Sequence, residues 1–551
     1  MRRLLRSVLC VSAVLTVWAC AKQGYPEGGP KDVRPPVVTR VVPDNATCRF
    51  AQERFVIEFD EYVNLKDAEN NILVSPPMSP KPEYTVHGRS LSVRLRDTLR
   101  PQTTYLFQFR GAVADLNEGN VLPAVEYVFS TGDAVDSCSI CGVVRDAFTQ
   151  EPSKNVVSLM LYGGEWDDST VFRSLPSYVT RADSAGLFCF NYIRPGTYHL
   201  VALEDGNRNS KPDEGEAVAW LDTVVEASVR ATETDSSRVE AERELGRVLL
   251  QLSAREEKKQ RVTGSEMKQS GQATLSTALP MQAPEVSCLN DSVVWRLCPT
   301  GDTLWVWAQH LQTDSLLLVV TDSSGLNDTL KLRYRAPRRR GLEPESEPNV
   351  HFTQQGSMAY FDTLRLRFSL PFTLRKAADD SVVRVLCLKD SSVTWAGVEP
   401  DSSGLRAAVL FVPQPETAYE VRLEAGRLLD LYGRGNDSAF TKVETTAPDK
   451  YGNLQLTLSG GDSACRYIVE LTDEKGNRLL HRLVSLPAVV SFPHLKPAKY
   501  RVRAICDRDG DGQWTPGHFL LRRQPEPVLL FPKTLDVRAN WDIEEQWQLE
   551  P

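Results

Sequence analysis

Two short acidic stretches carry the residues best suited to chemistry. In the first, Asp205, Asn207, Asn209, Asp213 and Glu216 occupy positions 1, 3, 5, 9 and 12 of an EF-hand-like loop. In the second, Asp507, Asp509, Asp511 and Gly512 fit positions 1, 3, 5 and 6. A hard cation needs six to eight oxygens, and alternate residues of a tight loop turn them inward. Calcium is the cofactor such loops would take, with an affinity on the order of 10⁻⁴ to 10⁻³ M. Both loops depart from the pattern. Ser210 stands where the first needs glycine, and Thr515 and His518 stand at positions 9 and 12 of the second, which therefore lacks its bidentate carboxylate. The alternative is a plain hairpin connection, since Asp, Asn and Gly fill tight turns without any metal.

Cys20 is the other residue with a chemical consequence. Arg2, Arg3 and Arg6 precede a short apolar run from Val8 to Trp18, and Val17-Trp18-Ala19-Cys20 closes it. Residues 1–19 thus read as a secretory signal, too short to span a bilayer. Cys20 is the expected lipid anchor, and residues 20–36, rich in Gly and Pro, the flexible tether behind it. Other enzyme signals are absent. The seven histidines show no zinc spacing, and neither a nucleophile elbow nor a phosphate loop occurs. The chain is expected not to be an enzyme. Trp305 and Trp307 share a strand face; they would stack on sugars or, as we read them, fill the core. Arg338, Arg339 and Arg340 read as a solvated link.

A net charge of −8 argues against nucleic acid as a partner. Of eleven cysteines, Cys10 leaves with the signal and Cys20 takes lipid, so an odd number remains. An exported context permits disulfides. Cys288 and Cys298 flank a short segment and could close a hairpin, and Cys465 and Cys506 lie on predicted strands of one module. Cys138 and Cys141, at C-x-x-C spacing, read as buried strand residues rather than a redox site.

The elements that must position these residues are strands. Phe55, Ile57 and Phe59 alternate with polar neighbours, as do Leu91, Val93 and Leu95, and Tyr105, Phe107 and Phe109. Period two with frequent turns predicts an all-β fold of antiparallel β-sandwiches. The predicted segments are 37–133, 137–225, a partly disordered linker over 226–285, a β-module over 286–336, and further modules over 348–447 and 451–551. Glu256 to Thr277 reads as mobile linker, Leu245 to Ala254 as either strand or helix, and Val537 to Ile543 as one last strand.

An internal duplication organises these modules. Phe190, Ile193, Pro195, Tyr198, Asp205 and Gly215 recur at one constant spacing as Phe492, Leu495, Pro497, Tyr500, Asp507 and Gly517. Thr104-Tyr105 and Asp115-Leu116 pair with Ala418-Tyr419 and Asp430-Leu431.

Cys20 to Gly24, Gly28-Gly29-Pro30-Lys31-Asp32, Phe59 to Asp67 and Phe129 to Asp133 resemble a family of Bacteroidota lipoproteins with an SbsA-type Ig-like domain. The Pro-Gly-Thr-Tyr module is similar to prealbumin-like or carboxypeptidase-regulatory-like β-sandwiches. The resemblance implies tandem Ig-like and prealbumin-like sandwiches on a lipid tether, and an outer-membrane lipoprotein without enzymatic activity. Lys22 precedes the first acid, Glu27, which points to the periplasmic face rather than the cell surface. The expected partners are the membrane, through the N-terminal lipid, and another envelope protein bound by a β-scaffold. The alternatives are a surface glycan- or peptide-binding protein and an envelope hydrolase with an inter-domain site.

Overall fold

The computed structural model describes residues 32–550 apart from 168, 207–210, 214, 230–247, 255–259, 270, 310–313, 335–348 and 375–380. The described chain is built almost wholly of strands, most of them antiparallel. It divides into two compact units. One comprises the chain up to Asp146 with Glu151–Ser253 and His518–Arg523; the other comprises Ala147–Gln150, Ala254–Gly517 and Gln524–Pro551.

The first unit begins with a sandwich. One sheet holds Val38–Val42, Arg54–Phe59, Ser90–Arg94 and Glu83–His87, and the other Ile72–Ser75, Thr104–Phe109 and Glu126–Ser130. The alternation puts Phe55, Ile57, Leu91, Val93, Phe107 and Phe129 inside, where the Phe55 ring lies 4.1 Å from Tyr127 and 5.0 Å from Phe107. Aromatic rings in such tilted and edge contacts carry much of a small core's burial energy. A hairpin-rich module follows. Cys138–Asp146 pairs antiparallel with Leu187–Ile193 and parallel with Leu249–Leu252, and the second sheet centres on Ser158–Gly163 and Thr197–Leu203. Within the segment left open between strand and helix, Leu249–Leu252 is a strand, with Leu250 and Leu252 in the core, and residues 245–247 lie outside the described residues.

The second unit corrects the expected linker. Val262–Gln269 and Gln272–Thr277 form a hairpin, and the latter strand pairs with Thr303–Ala308. The β-module thus starts well before residue 286, and the 226–285 linker ends earlier. Among the described residues Val262, Met267, Ala273, Leu275 and Thr277 face inward from this hairpin, while Ser265, Glu266, Thr274 and Ser276 lie on the outer side. That polar outer face is why the composition resembled disorder. In the neighbouring strand the core residues are Leu304, Val306 and Ala308, so Trp305 and Trp307 lie on the opposite face; Trp307 is buried there and Trp305 half-buried.

Residues 349–445 form an eight-stranded sheet with a separate two-stranded pair, Phe372–Leu374 and Leu428–Asp430. The last module closes with Asp542–Leu549 lying parallel to Gly452–Gly460. The expected single strand from Val537 to Ile543 is two, Leu535–Val537 and Asp542–Leu549, because Asn540 adopts a left-handed turn at φ 59° between them.

Candidate functional site: two acidic loops and an exposed sheet face

The first acidic loop leaves the strand Thr197–Leu203. Asn207 and Asn209 lie outside the described residues, as does Cys20. Asp205 and Glu216 are half-buried and Asp213 is exposed. Glu216 does not project a bidentate carboxylate into free space. Its Oε1 accepts from the Gly206 amide at 2.9 Å and its Oε2 from the Asp213 amide at 3.1 Å, which ties the two ends of the loop together.

The second loop leaves Ala498–Asp507. Asp507 is buried; one carboxylate oxygen accepts from the Gly510 amide at 2.7 Å and the other from the Gly512 amide at 3.2 Å. Both glycines have positive φ, 78° and 76°, so the loop turns where a side chain would be strained. Asp511 accepts from the Gln513 amide at 2.6 Å, and Thr515 donates its hydroxyl to Asp509 at 2.8 Å. The structure does bring Asp507, Asp509 and Asp511 together, with one oxygen of each within 4.8 Å of the others. These three are the residues that could hold a hard cation. Hydrogen bonds from the Gly510 and Gly512 amides to Asp507 help to hold the turn without an ion.

Sequence reasoning missed Glu526. It is buried, and its carboxylate accepts from the Arg508 amide at 2.6 Å and the Thr515 amide at 3.0 Å. Burial raises its pKa, and the amide donors oppose the rise. Glu526 thus does for this loop what Glu216 does for the first. The constant spacing of the duplication pointed instead to His518, whose Nδ1 accepts from the Leu521 amide and caps a short 3-10 turn. The extra segment around that turn breaks the spacing, so no fixed offset reaches Glu526.

A different surface lies on the eight-stranded sheet. Arg384 sits directly opposite Trp395 on one neighbouring strand and Arg422 on the other; Arg422 in turn sits opposite Phe440. Directly opposed residues share a sheet face. Their immediate neighbours Val383, Ala396 and Val421 point into the core, so this row of four faces solvent. Trp395 is 43% exposed and Phe440 49%. The Arg422 guanidinium lies 5.6 Å from the Phe440 ring centre and that of Arg427 lies 5.9 Å from Trp395. Arg427 also pairs with Glu424 at 2.8 Å, whereas among the described residues neither Arg384 nor Arg422 has an ion-pair partner.

The disulfide found among the described residues is one that the sequence analysis did not anticipate, Cys141–Cys189, on directly opposed residues of one sheet. Cys141 is therefore a structural half-cystine rather than a free buried thiol, while Cys138 remains free and buried. Cys288 and Cys298, expected to be able to close a hairpin, are both free.

Residues 32–131 match the bacterial Ig-like domain family. That assigns the first sandwich to the Ig-like class. No curated protein matches the chain in sequence. Among solved structures, the chain is similar to the Bacillus anthracis TIE protein, at 10% identity over 95% of this chain and 76% of that one, with a TM-score of 0.13. It is similar to domains 1-6 of the surface layer protein SbsC, at 13% identity over 91% and 67%, with a TM-score of 0.13. A third is the Bacteroides ovatus protein SGBP-B in complex with a mixed-linkage heptasaccharide, at 8% identity over 70% and 89%, with a TM-score of 0.17.

Proposed function

We propose that this chain is a non-enzymatic, lipid-anchored envelope protein that binds another envelope protein through the exposed face of its eight-stranded sheet. The observation that carries the reading is the row Trp395, Arg384, Arg422 and Phe440. Trp, Phe and Arg are the residue types enriched at protein interfaces, and Trp and Arg dominate their binding energy. Arg384 and Arg422 place two cations on the surface of a chain with a net charge of −8. Such a local reversal of sign suits an acidic segment of the partner and steers its approach.

The anchor rests on Cys20 and the apolar run before it. Lipid on that cysteine would hold the modules at the outer membrane, with the periplasmic face favoured by Lys22 ahead of Glu27. Fractionation tests it: Cys20→Ser is expected to move the protein to the soluble fraction, and retention of the variant on membranes would sink the anchor. Crosslinked capture from native envelope tests the face. Trp395→Ala and Arg422→Glu are each expected to reduce recovery of the partner at least about tenfold, as truncation of a central aromatic or reversal of a charge does at a hot spot. Equal recovery by wild type and both variants would overturn the reading. Loss of capture on adding soluble envelope glycan would instead favour the glycan-binding reading, in which Trp395 stacks on a sugar ring.

A further inference from the structure

We propose that Cys465 and Cys506 are joined by a disulfide in the exported protein, a bond that fixes the stem of the second acidic loop. Tyr467 lies directly opposite Cys506 in the pairing of Arg466–Thr472 with Ala498–Asp507. Cys465, two residues before Tyr467, therefore sits on the same face as Cys506 and diagonal to it. Its backbone is part of a turn begun at Asp462, whose carbonyl accepts from the Cys465 amide at 3.3 Å, and stands just ahead of the ladder. Cys506 is buried in the module core and Cys465 packs against the same cluster. Both are free thiols in the structure.

The duplicated module gives an independent measure of this diagonal. Ile468 pairs with Ile505 here, as Ser158 pairs with Leu203 there. Cys465 and Cys506 stand three residues before and one after their pair, and Asn155 and Glu204 stand in the same places around theirs. Asn155 Nδ2 donates to Glu204 Oε2 at 3.4 Å. The backbone thus brings side-chain ends together at this position in the first copy, and in the second copy the same positions carry sulfur. Cys141–Cys189 is already bonded in the first.

The chemistry needs an oxidant, which we assign to a disulfide donor of the thiol–disulfide exchange class. The half-buried Cys465, as thiolate, attacks one donor sulfur and breaks the donor S–S bond. Cys506 then displaces that sulfur, the Sγ–Sγ bond forms, and the donor leaves as two thiols carrying both protons and both electrons. Hydrogen bonding to Cys506, burial and the nearby Asp462 carboxylate raise the Cys465 thiol pKa. The Cys465 thiolate is therefore scarce at neutral pH, and its exchange with the donor is slow.

The test uses the purified full-length chain incubated with oxidised glutathione, blocked with N-ethylmaleimide and digested without reduction. The expected result by mass spectrometry is a peptide pair linked through Cys465 and Cys506, lighter by two hydrogens than the separate peptides. Cys465→Ala is expected to leave Cys506 carrying maleimide or glutathione. Free or singly glutathionylated Cys465 and Cys506 in the wild-type chain, alongside an intact Cys141–Cys189 link, would overturn the proposal.

Discussion

The two hairpin-rich modules, one built on Cys138–Ser253 and the other on Gly452–Leu549, share a frame and differ in what crosses it. In both, the corner tyrosine donates its hydroxyl to a carbonyl four residues back: Tyr198 to Arg194 and Tyr500 to Lys496, each at 2.8 Å. In both, the second-last residue of the strand before that corner is left-handed, Tyr192 at φ 57° and His494 at φ 58°. The pairs across the strands diverge. Cys141–Cys189 in one is Gln455–Ser491 in the other. Met160 opposite Val201 becomes Glu470 opposite Arg503, an ion pair whose side chains are only 4% and 11% exposed. Asn155–Glu204 becomes the Cys465–Cys506 pair. Backbone hydrogen bonds and the corner hold the frame without reference to the opposed side chains. Those positions are therefore free to be covalent, ionic or apolar.

The comparison breaks most sharply at the buried ion pair. Arg503→Ala leaves the Glu470 carboxylate buried with only Arg478, itself 52% exposed, at 3.2 Å. The expected loss is about 3–5 kcal/mol in denaturant unfolding. The double variant Glu470→Met/Arg503→Val, which installs the apolar pair of the first module, should recover most of it. A single-variant loss below about 1 kcal/mol would mean the pair is not needed by the second frame. Next comes the covalent pair: Cys189→Ser should cost about 2–4 kcal/mol by thermal melting. Asp507→Ala removes the acceptor for two amides at a buried site and should cost about 1–3 kcal/mol, with faster exchange of the Gly510 and Gly512 amides.

The smallest effect concerns the turns that follow the central strands. Asn477 holds the Asp473 carboxyl below its ordinary value of 3.8, and Ser169 does the same for Asp167. A depressed carboxylate contributes stability that is present above its unfolded pKa and lost as pH falls through the folded one. Asp167 is exposed and Asp473 half-buried, both at the surface, so Asp473→Asn and Asp167→Asn should lower the melting temperature only slightly at neutral pH. Each difference should vanish in strong acid. A difference that persisted there would assign the effect to packing instead.

How much of this was legible depended on how the local pattern met the core. Phe55, Ile57 and Phe59 announce their strand, because every second residue is large, apolar and buried. The hairpin of Val262–Gln269 and Gln272–Thr277 hid, since few of its residues are large and apolar. Trp305 and Trp307 misled by size: their alternation was right, but the smaller Leu304 and Val306 took the core face. At the acidic loops, the carboxylates that converge in the second could be named in advance, while Glu526 could not, because the duplication loses its spacing after Gly517. The Trp395 row was invisible for a different reason. Its four members come from four strands, and only the register across three pairings aligns them.

The parallel strand that closes the last module has a mechanical consequence. Gly452–Gly460 opens the module and Asp542–Leu549 closes it, side by side and pointing the same way over eight matched positions. A pull transmitted through the chain from both sides of the module would drag these neighbours past each other lengthwise. Their bridging bonds would then resist together as a clamp instead of opening one at a time like a zip.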